Sequence, residues 1–273
     1  SGYGALGIIF GVLLFGGIWW CVIGVRERDL TEIKRPHGSP WQNLRHALSN
    51  RPFMTLLAAY SIWSLGAALS ATIFLFFFEH VLQSTAGPFV LVVYLVTGIV
   101  FMPFWVYASR RFEKRPAWIA AVTVSAVSIS GLALLGPGDV VVASVMLALA
   151  GTGLGGAIAI PPSMQADVID YDELKSGERR EGQYIGLWAL AKKLGMATSA
   201  GLALPALDWS GYLGGQIVQP EDTVTALKWL FVGGPVICNA LAVSIALTYT
   251  IDRREHQAMR AEIDATTDMQ SST

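Results

Sequence analysis

Charge is what this sequence has least of. Only 14% of its 273 residues are Asp, Glu, Lys or Arg, against 53% hydrophobic residues and 28 glycines. A soluble domain so short of polar side chains could not cover its own surface, which excludes the ordinary cytosolic globule. The formal net charge is −1, so there is no basic excess to meet a phosphate backbone, and no nucleic-acid partner is expected. Cysteine is nearly absent. Cys21 and Cys238 each sit inside an apolar run with no ligand spacing around them, which excludes a disulfide framework and a thiolate metal site. Histidine is scarce too: His37, His46, His80 and His256 fall in connections or at run ends. No metal or acid–base constellation therefore lies inside an apolar run, and neither enzyme activity nor a cofactor is expected.

What the sequence has instead is long apolar runs. A helix needs roughly 20 mostly apolar residues to cross a hydrocarbon core about 30 Å thick. Seven stretches qualify: 3–25, 53–78, 89–109, 117–135, 140–162, 184–207 and 225–251. The scarce basic residues are segregated among the connections. Those after the first, third and fifth runs and the C-terminal tail hold 16 of the 19, whereas 79–88, 136–139 and 208–222 hold none. The positive-inside rule then puts the start of the chain outside and its C-terminus in the cytoplasm, in an inner (plasma) membrane. The chain has no initiator Met, and Ser1 abuts the first run without a basic leader, so upstream residues are expected to be missing. The polar residues 265–273 are expected to be disordered.

Three local patterns stand out. In 40–50, Trp41, Leu44 and Leu48 recur at helical spacing beside Arg45 and His46, which predicts an amphipathic helix at the membrane interface. Helix-weakening residues mark the spans: Pro103 interrupts the third, Pro161 and Pro162 end the fifth, Pro205 ends the sixth, and Pro235 falls in the seventh. The stretch Gly151-Thr-Gly-Leu-Gly-Gly156 removes side chains from the middle of the fifth, for close helix packing or for a joint in a moving helix.

The densest charge is the block 164–183, MQADVIDYDELKSGERREGQ, read as a cytoplasmic loop between the fifth and sixth spans. A bundle does not need such a loop, so it is read as a gate. The tight basic turn 109–116, SRRFEKRP, either enforces topology or supplies arginines, Arg110 and Arg111, that pair with the acids around Asp167. Lys192 and Lys193 lie about ten residues, roughly 15 Å, into the sixth span. A lysine at mid-bilayer costs on the order of 2.5–3.5 kcal/mol and so usually faces a cavity or a partner. Tyr184, Trp188 and Lys192 form one helical stripe, and Gly182, Gly186, Ala189 and Lys193 another. The first stripe is either an aromatic platform for a sugar ring or ordinary packing with a snorkelling lysine.

The run Ala166-Asp-Val-Ile-Asp-Tyr-Asp-Glu-Leu-Lys175, followed by Glu178-Arg-Arg-Glu-Gly182 and an intramembrane lysine, resembles the glycoside–pentoside–hexuronide:cation symporters. These are the melibiose-permease group of the major facilitator superfamily. Gly24-Val-Arg-Glu-Arg28, Asn50-Arg-Pro-Phe53 and the basic turn support the likeness. The resemblance implies an all-α membrane protein of seven transmembrane helices. Residues 1–25 would be the last helix of an N-terminal bundle, 26–52 a cytoplasmic connector with its interfacial helix, 53–251 the C-terminal six-helix bundle of a major-facilitator fold, and 252–273 a cytoplasmic tail.

It further implies that Lys193 stands beside the sugar and cation sites; the aromatic stripe makes Trp188, Tyr184 and Lys192 its candidate companions in binding substrate. Asp167, Asp170, Arg179 and Glu181 would lock the cytoplasmic gate with Arg110 and Arg111. Tyr171, Glu173 and Lys175 fit the same pattern, while Asp172 stands where melibiose permeases often have Gly. The implied activity is symport of a small sugar or glycoside with Na⁺ or H⁺ by alternating access; the alternative is a lysolipid or other amphipathic substrate on the same scaffold. The coupling cation would be bound mainly by the N-terminal half, absent here, with membrane lipid as the surrounding partner.

Overall fold

All seven apolar runs are helical in the computed structural model, which describes residues 2–24, 39–176, 178, 180–216 and 218–250, with no strand among them. The tail 252–273, residues 26–38 of the connector and Arg179 lie outside the described residues. The chain forms two units, 1–35 and 36–273. The first contains helix α1 (Gly2–Gly24), which has no charged residue.

In the second unit, the amphipathic helix expected over 40–50 forms as α2 (Pro40–Ser49). Its start is held by a reciprocal cap: Ser39 Oγ accepts from the Gln42 amide at 3.3 Å, and Gln42 Oε1 accepts from the Ser39 amide at 3.1 Å. Ala47 joins the core, and Trp41 is exposed. Helix α3 (Arg51–Phe76) starts on its own cap, with Asn50 Oδ1 accepting from the Phe53 amide, and ends in a π-helical turn, Phe77–Val81. Then come α4 (Gly87–Phe112), α5 (Lys114–Ser130) with a 3₁₀ turn at Gly131–Leu134, and α6 (Val140–Ala159). They are followed by α7 (Pro161–Ser176), α8 (Glu181–Trp209) and α9 (Glu221–Lys228). A second π-helical turn, Trp229–Gly233, leads into α10 (Gly234–Ala246).

Two expectations about these elements change. The block 164–183 is not a loop: helix continues through α7 to Ser176, and only the few residues before Glu181 are irregular. Pro161 and Pro162 break the fifth run at Ile160 without ending it, because proline is tolerated in a helix's first turn, where its missing amide has no carbonyl to serve. Likewise Pro205 lies inside α8 and does not stop it. Six of the helical stretches are long and apolar enough to cross a membrane; α8, at 29 residues, is long enough, but its lysines and small residues keep it below that apolarity.

Helix α6 is seated between α4 and α5, and the glycine run makes that possible. A Cβ at Gly155 would lie 2.3 Å from the Gly98 carbonyl oxygen of α4, and one at Gly153 would lie 2.4 Å from the Ala121 carbonyl oxygen of α5. Either contact forbids a side chain, so packing accounts for the stretch 151–156. Two buried indoles fasten the same seam: Trp105 Nε1 donates to the Thr152 carbonyl at 2.7 Å and Trp118 Nε1 to that of Ala157 at 3.3 Å. Helix α3 packs against both α8 and α10 on the other side of the unit.

Candidate functional site

The up-and-down order of the helices brings the ends of α4, α7 and α10 and the starts of α3, α5 and α8 to one end of the unit. Most of its described charge is there. On α7, Asp167, Asp170 and Asp172 are buried, between 5% and 9% exposed. Ionised carboxylates so enclosed need partners. Lys114, the first residue of α5, places its Nζ 2.7 Å from both oxygens of Asp167 and 3.1 Å from the Ser163 carbonyl. An ammonium at a helix N-terminus works against the helix dipole, so the geometry is set by Asp167. The next residue, Arg115, donates to the Tyr249 carbonyl at 2.8 Å, tying the start of α5 to the residues that follow α10.

A second cluster joins α7 to α8. Arg180, 7% exposed, reaches Asp172 at 3.3 Å and Glu178 at 2.7 Å. Beside it, the Tyr184 hydroxyl accepts from Asn50 Nδ2 at 3.1 Å, with the Asp172 carboxylate next to it. Asn50 thus does two things: its oxygen caps α3 and its amide nitrogen holds α8. The motif Asn50-Arg-Pro-Phe53 gains a structural meaning here, since Phe53 also packs edge-on to Tyr184 at 4.6 Å.

Of the residues expected to form the gate, Asp167 and Asp170 are buried in α7, and Glu181 opens α8, where an acid suits the positive helix end. Arg110 and Arg111 occupy the last turn of α4; Arg111 lies 5.6 Å from the centre of the Phe112 ring. The basic turn does meet Asp167, through Lys114. Sequence reasoning read the whole block 164–183 as a gate without singling out Asp172 or Arg180 within it, and it named the arginines of the basic turn rather than Lys114. The signal for Asp172 was present, as its departure from the family's Gly, and its charge is answered by Arg180.

The two stripes of α8 separate onto different faces. Tyr184, Gly195, Ser199, Ala203 and Leu207 are buried along the side that meets α3. A Cβ at Gly195 would lie 2.9 Å from Ser64 Oγ, so the approach is close. Tyr184 is fully enclosed in that seam, and half-buried Trp188 stacks on Tyr60 at 4.2 Å. Lys192 lies at the border of the stripe and Lys193 nearly opposite it. Both lysines are exposed, with no ion-pair or hydrogen-bond partner among the described residues. Around Lys193, Gly182, Gly186 and Ala189 leave the helix face open. At roughly 18 Å from the start of α8, the lysine stands near mid-helix.

A bundle of long apolar helices with most of its charge at one end is the architecture of an integral membrane protein. The chain belongs to the family described as MFS/sugar transport protein, whose model matches residues 1–253. It is 28% identical to an uncharacterized symporter of Synechocystis over 82% of this chain and 42% of that protein. It is 29% identical to the sodium-dependent lysophosphatidylcholine symporter 1-A of Danio rerio, over 88% of this chain and 46% of that protein. The uncharacterized symporter YjmB of Bacillus subtilis is 26% identical over 91% of this chain and 55% of its own length. The chain spans about half the length of the curated relatives it matches.

Proposed function

We propose that the chain is the C-terminal part of a cation-coupled symporter working by alternating access, with seven spans, the start of the chain outside and its C-terminus in the cytoplasm of a plasma membrane. In this reading α1 closes an N-terminal bundle, 26–52 is the connector, and 53–251 is the second bundle. The observation that carries it is the charged seam in a chain of this family: Asp167–Lys114 joins α7 to α5, and Asp172–Arg180 joins α7 to α8. Pairs of this kind bias a two-state equilibrium by a few kcal/mol and can be exchanged as the bundles rock. Gln165 Nε2, Arg180 Nε and Gln183 Oε1 are buried at the same end without a hydrogen-bond partner among the described residues. Unmet groups of this kind cost about 1–3 kcal/mol each, and a facing bundle would answer them. Asp170, Arg179, Glu181, Arg110 and Arg111 complete the gate, and Lys193 serves the substrate and cation site from the open face of α8, with Trp188 and Lys192 beside it.

The substrate we favour is a sugar or glycoside, on the strength of the charged motif and the family's description. A lysophospholipid is the second reading, favoured by the relatives named for sodium-dependent lysophosphatidylcholine symport. The test is uptake by the full-length protein in vesicles, with labelled glycosides and labelled lysophosphatidylcholine under imposed Na⁺ or H⁺ gradients. Glycoside uptake that rises with one cation and disappears in Lys193→Ala supports the first reading. Cation-driven lysolipid uptake without sugar uptake establishes the second, and no gradient-driven uptake of either from well-inserted protein overturns the proposal.

A further inference from the structure

At the end opposite the charged seam, an open cavity of about 440 Å³ lies between α5 and the last span. Ser130 and Ala133 form one wall; Thr225, Lys228, Trp229 and Gly233 form the other. The cavity is mainly apolar, and among the described residues Lys228 is the only charged side chain lining it. Its ammonium donates to the Ala133 carbonyl at 3.3 Å and has no carboxylate partner among the described residues. An ammonium has three donors, so two remain for a ligand. The pocket is built around a backbone feature: a Cβ on Gly233 would lie 2.2 Å from the Trp229 ring, so the indole folds onto its own π-helical turn only because Gly233 is bare.

Position and charge order identify the occupant. The last span runs Glu221–Ala246, 26 residues. At roughly 39 Å that is close to the bilayer with its headgroups. Lys228 lies about 10 Å along it, where headgroups give way to acyl chains, and exposed Trp229 suits that boundary. Seven residues earlier, on the same helix face and nearer the water, stands exposed Glu221, with Asp222 next to it. From water inward, the helix therefore presents carboxylate, ammonium and then an apolar hollow. A zwitterionic glycerophospholipid presents the complementary order of ammonium, phosphate and acyl chain.

We propose that this cavity is a binding site for a zwitterionic glycerophospholipid of that leaflet, its phosphate on Lys228, its headgroup ammonium toward Glu221 and Asp222, and an acyl chain along the α5 wall. The site is distinct from the open face of α8 and does not depend on which substrate is carried.

Native mass spectrometry of the full-length protein, released from nanodiscs of equal parts phosphatidylethanolamine, phosphatidylglycerol and a diglucosyl diacylglycerol, tests it. Retained phosphatidylethanolamine should exceed the other two by roughly three- to five-fold, the scale of one part-exposed ion pair. Lys228→Gln should erase the preference for phospholipid over glycolipid, and Lys228→Arg should restore it. Glu221→Gln, at an exposed position that leaves the fold intact, should raise phosphatidylglycerol to the level of phosphatidylethanolamine. Millimolar inorganic phosphate should displace nothing. Retention that mirrors the bulk mixture, enrichment unchanged by both Lys228→Gln and Glu221→Gln, or displacement by free phosphate would each overturn the proposal.

Discussion

At the end of the bundle where α3, α5 and α8 begin, helices are joined by Asp167–Lys114, by Asp172–Arg180–Glu178, and by the Asn50–Tyr184 hydrogen bond. At the end where α3 finishes and α9 begins, they are joined by rings. Phe77 stacks on Phe231 at 4.3 Å, Phe74 meets the same ring edge-on at 5.8 Å, and His80 meets the Tyr212 hydroxyl at 3.2 Å. Both π-helical turns lie at this second end, and Phe77 and Phe231, one from each, form the stack. Stacked rings gain little from rearranging, because dispersion is short-ranged and a parted ring leaves a void. Charge pairs can trade one partner for another at modest cost. The contrast sets an end whose helix contacts can be exchanged against an end whose helix contacts are held by shape.

The largest expected effect tests the aromatic end. Phe77 is fully buried, and Phe77→Ala removes both its ring and its stack on Phe231. The loss should be about 3–4 kcal/mol, read as lowered thermal stability of the purified protein, and it should be insensitive to salt. If raising salt from low levels to about 1 M, where the Debye length is near 3 Å, changed the deficit substantially, the division into a shape-held end and a charge-held end would fail.

At the charged end the effects should be smaller and graded by burial. Asp172→Asn leaves Arg180 enclosed with Glu178 as its remaining described partner, at a cost of about 2–3 kcal/mol. Asp167→Asn loses a pair whose lysine is 33% exposed, so solvent screening limits the cost to about 1 kcal/mol. Thermal melts of the two variants, with cysteine-labelling rates at the charged end, check the order. A larger deficit for Asp167→Asn would mean that the α5–α7 pair, and not the α7–α8 cluster, is the principal lock.

The same contrast explains what could be read from the sequence. Spans are legible because apolar length is a local property, and all seven runs are helices, extended by a few residues once caps such as Asn50 and first-turn prolines are counted. The charged block was misread as a loop because local rules assume that carboxylates seek water. Asp167 instead finds Lys114, 53 residues away, and Asp172 finds Arg180 beyond the helix end. Partners brought together by topology leave no periodic trace, and neither does the Asn50–Tyr184 bond across 134 residues. The lysines of α8 were legible as an anomaly, and the structure adds that Lys193 takes the bare face.

The smallest expected effect has the opposite sign and falls on the turn that delivers Lys114. Glu113, between α4 and α5, has φ +93° and ψ 153°, a region that suits glycine and strains any residue with a Cβ. The strain buys a one-residue reversal that points the first residue of α5 at Asp167. Glu113→Gly should relieve it and stabilise the protein, with the net gain held to about 0.5–1 kcal/mol because glycine also loosens the unfolded chain. Since the Lys114–Asp167 pair is then easier to reach, labelling at the charged end should slow as the melting temperature rises. A rise in stability with faster labelling would show that the strained turn itself holds the charged end shut, and that the ion pair only follows it.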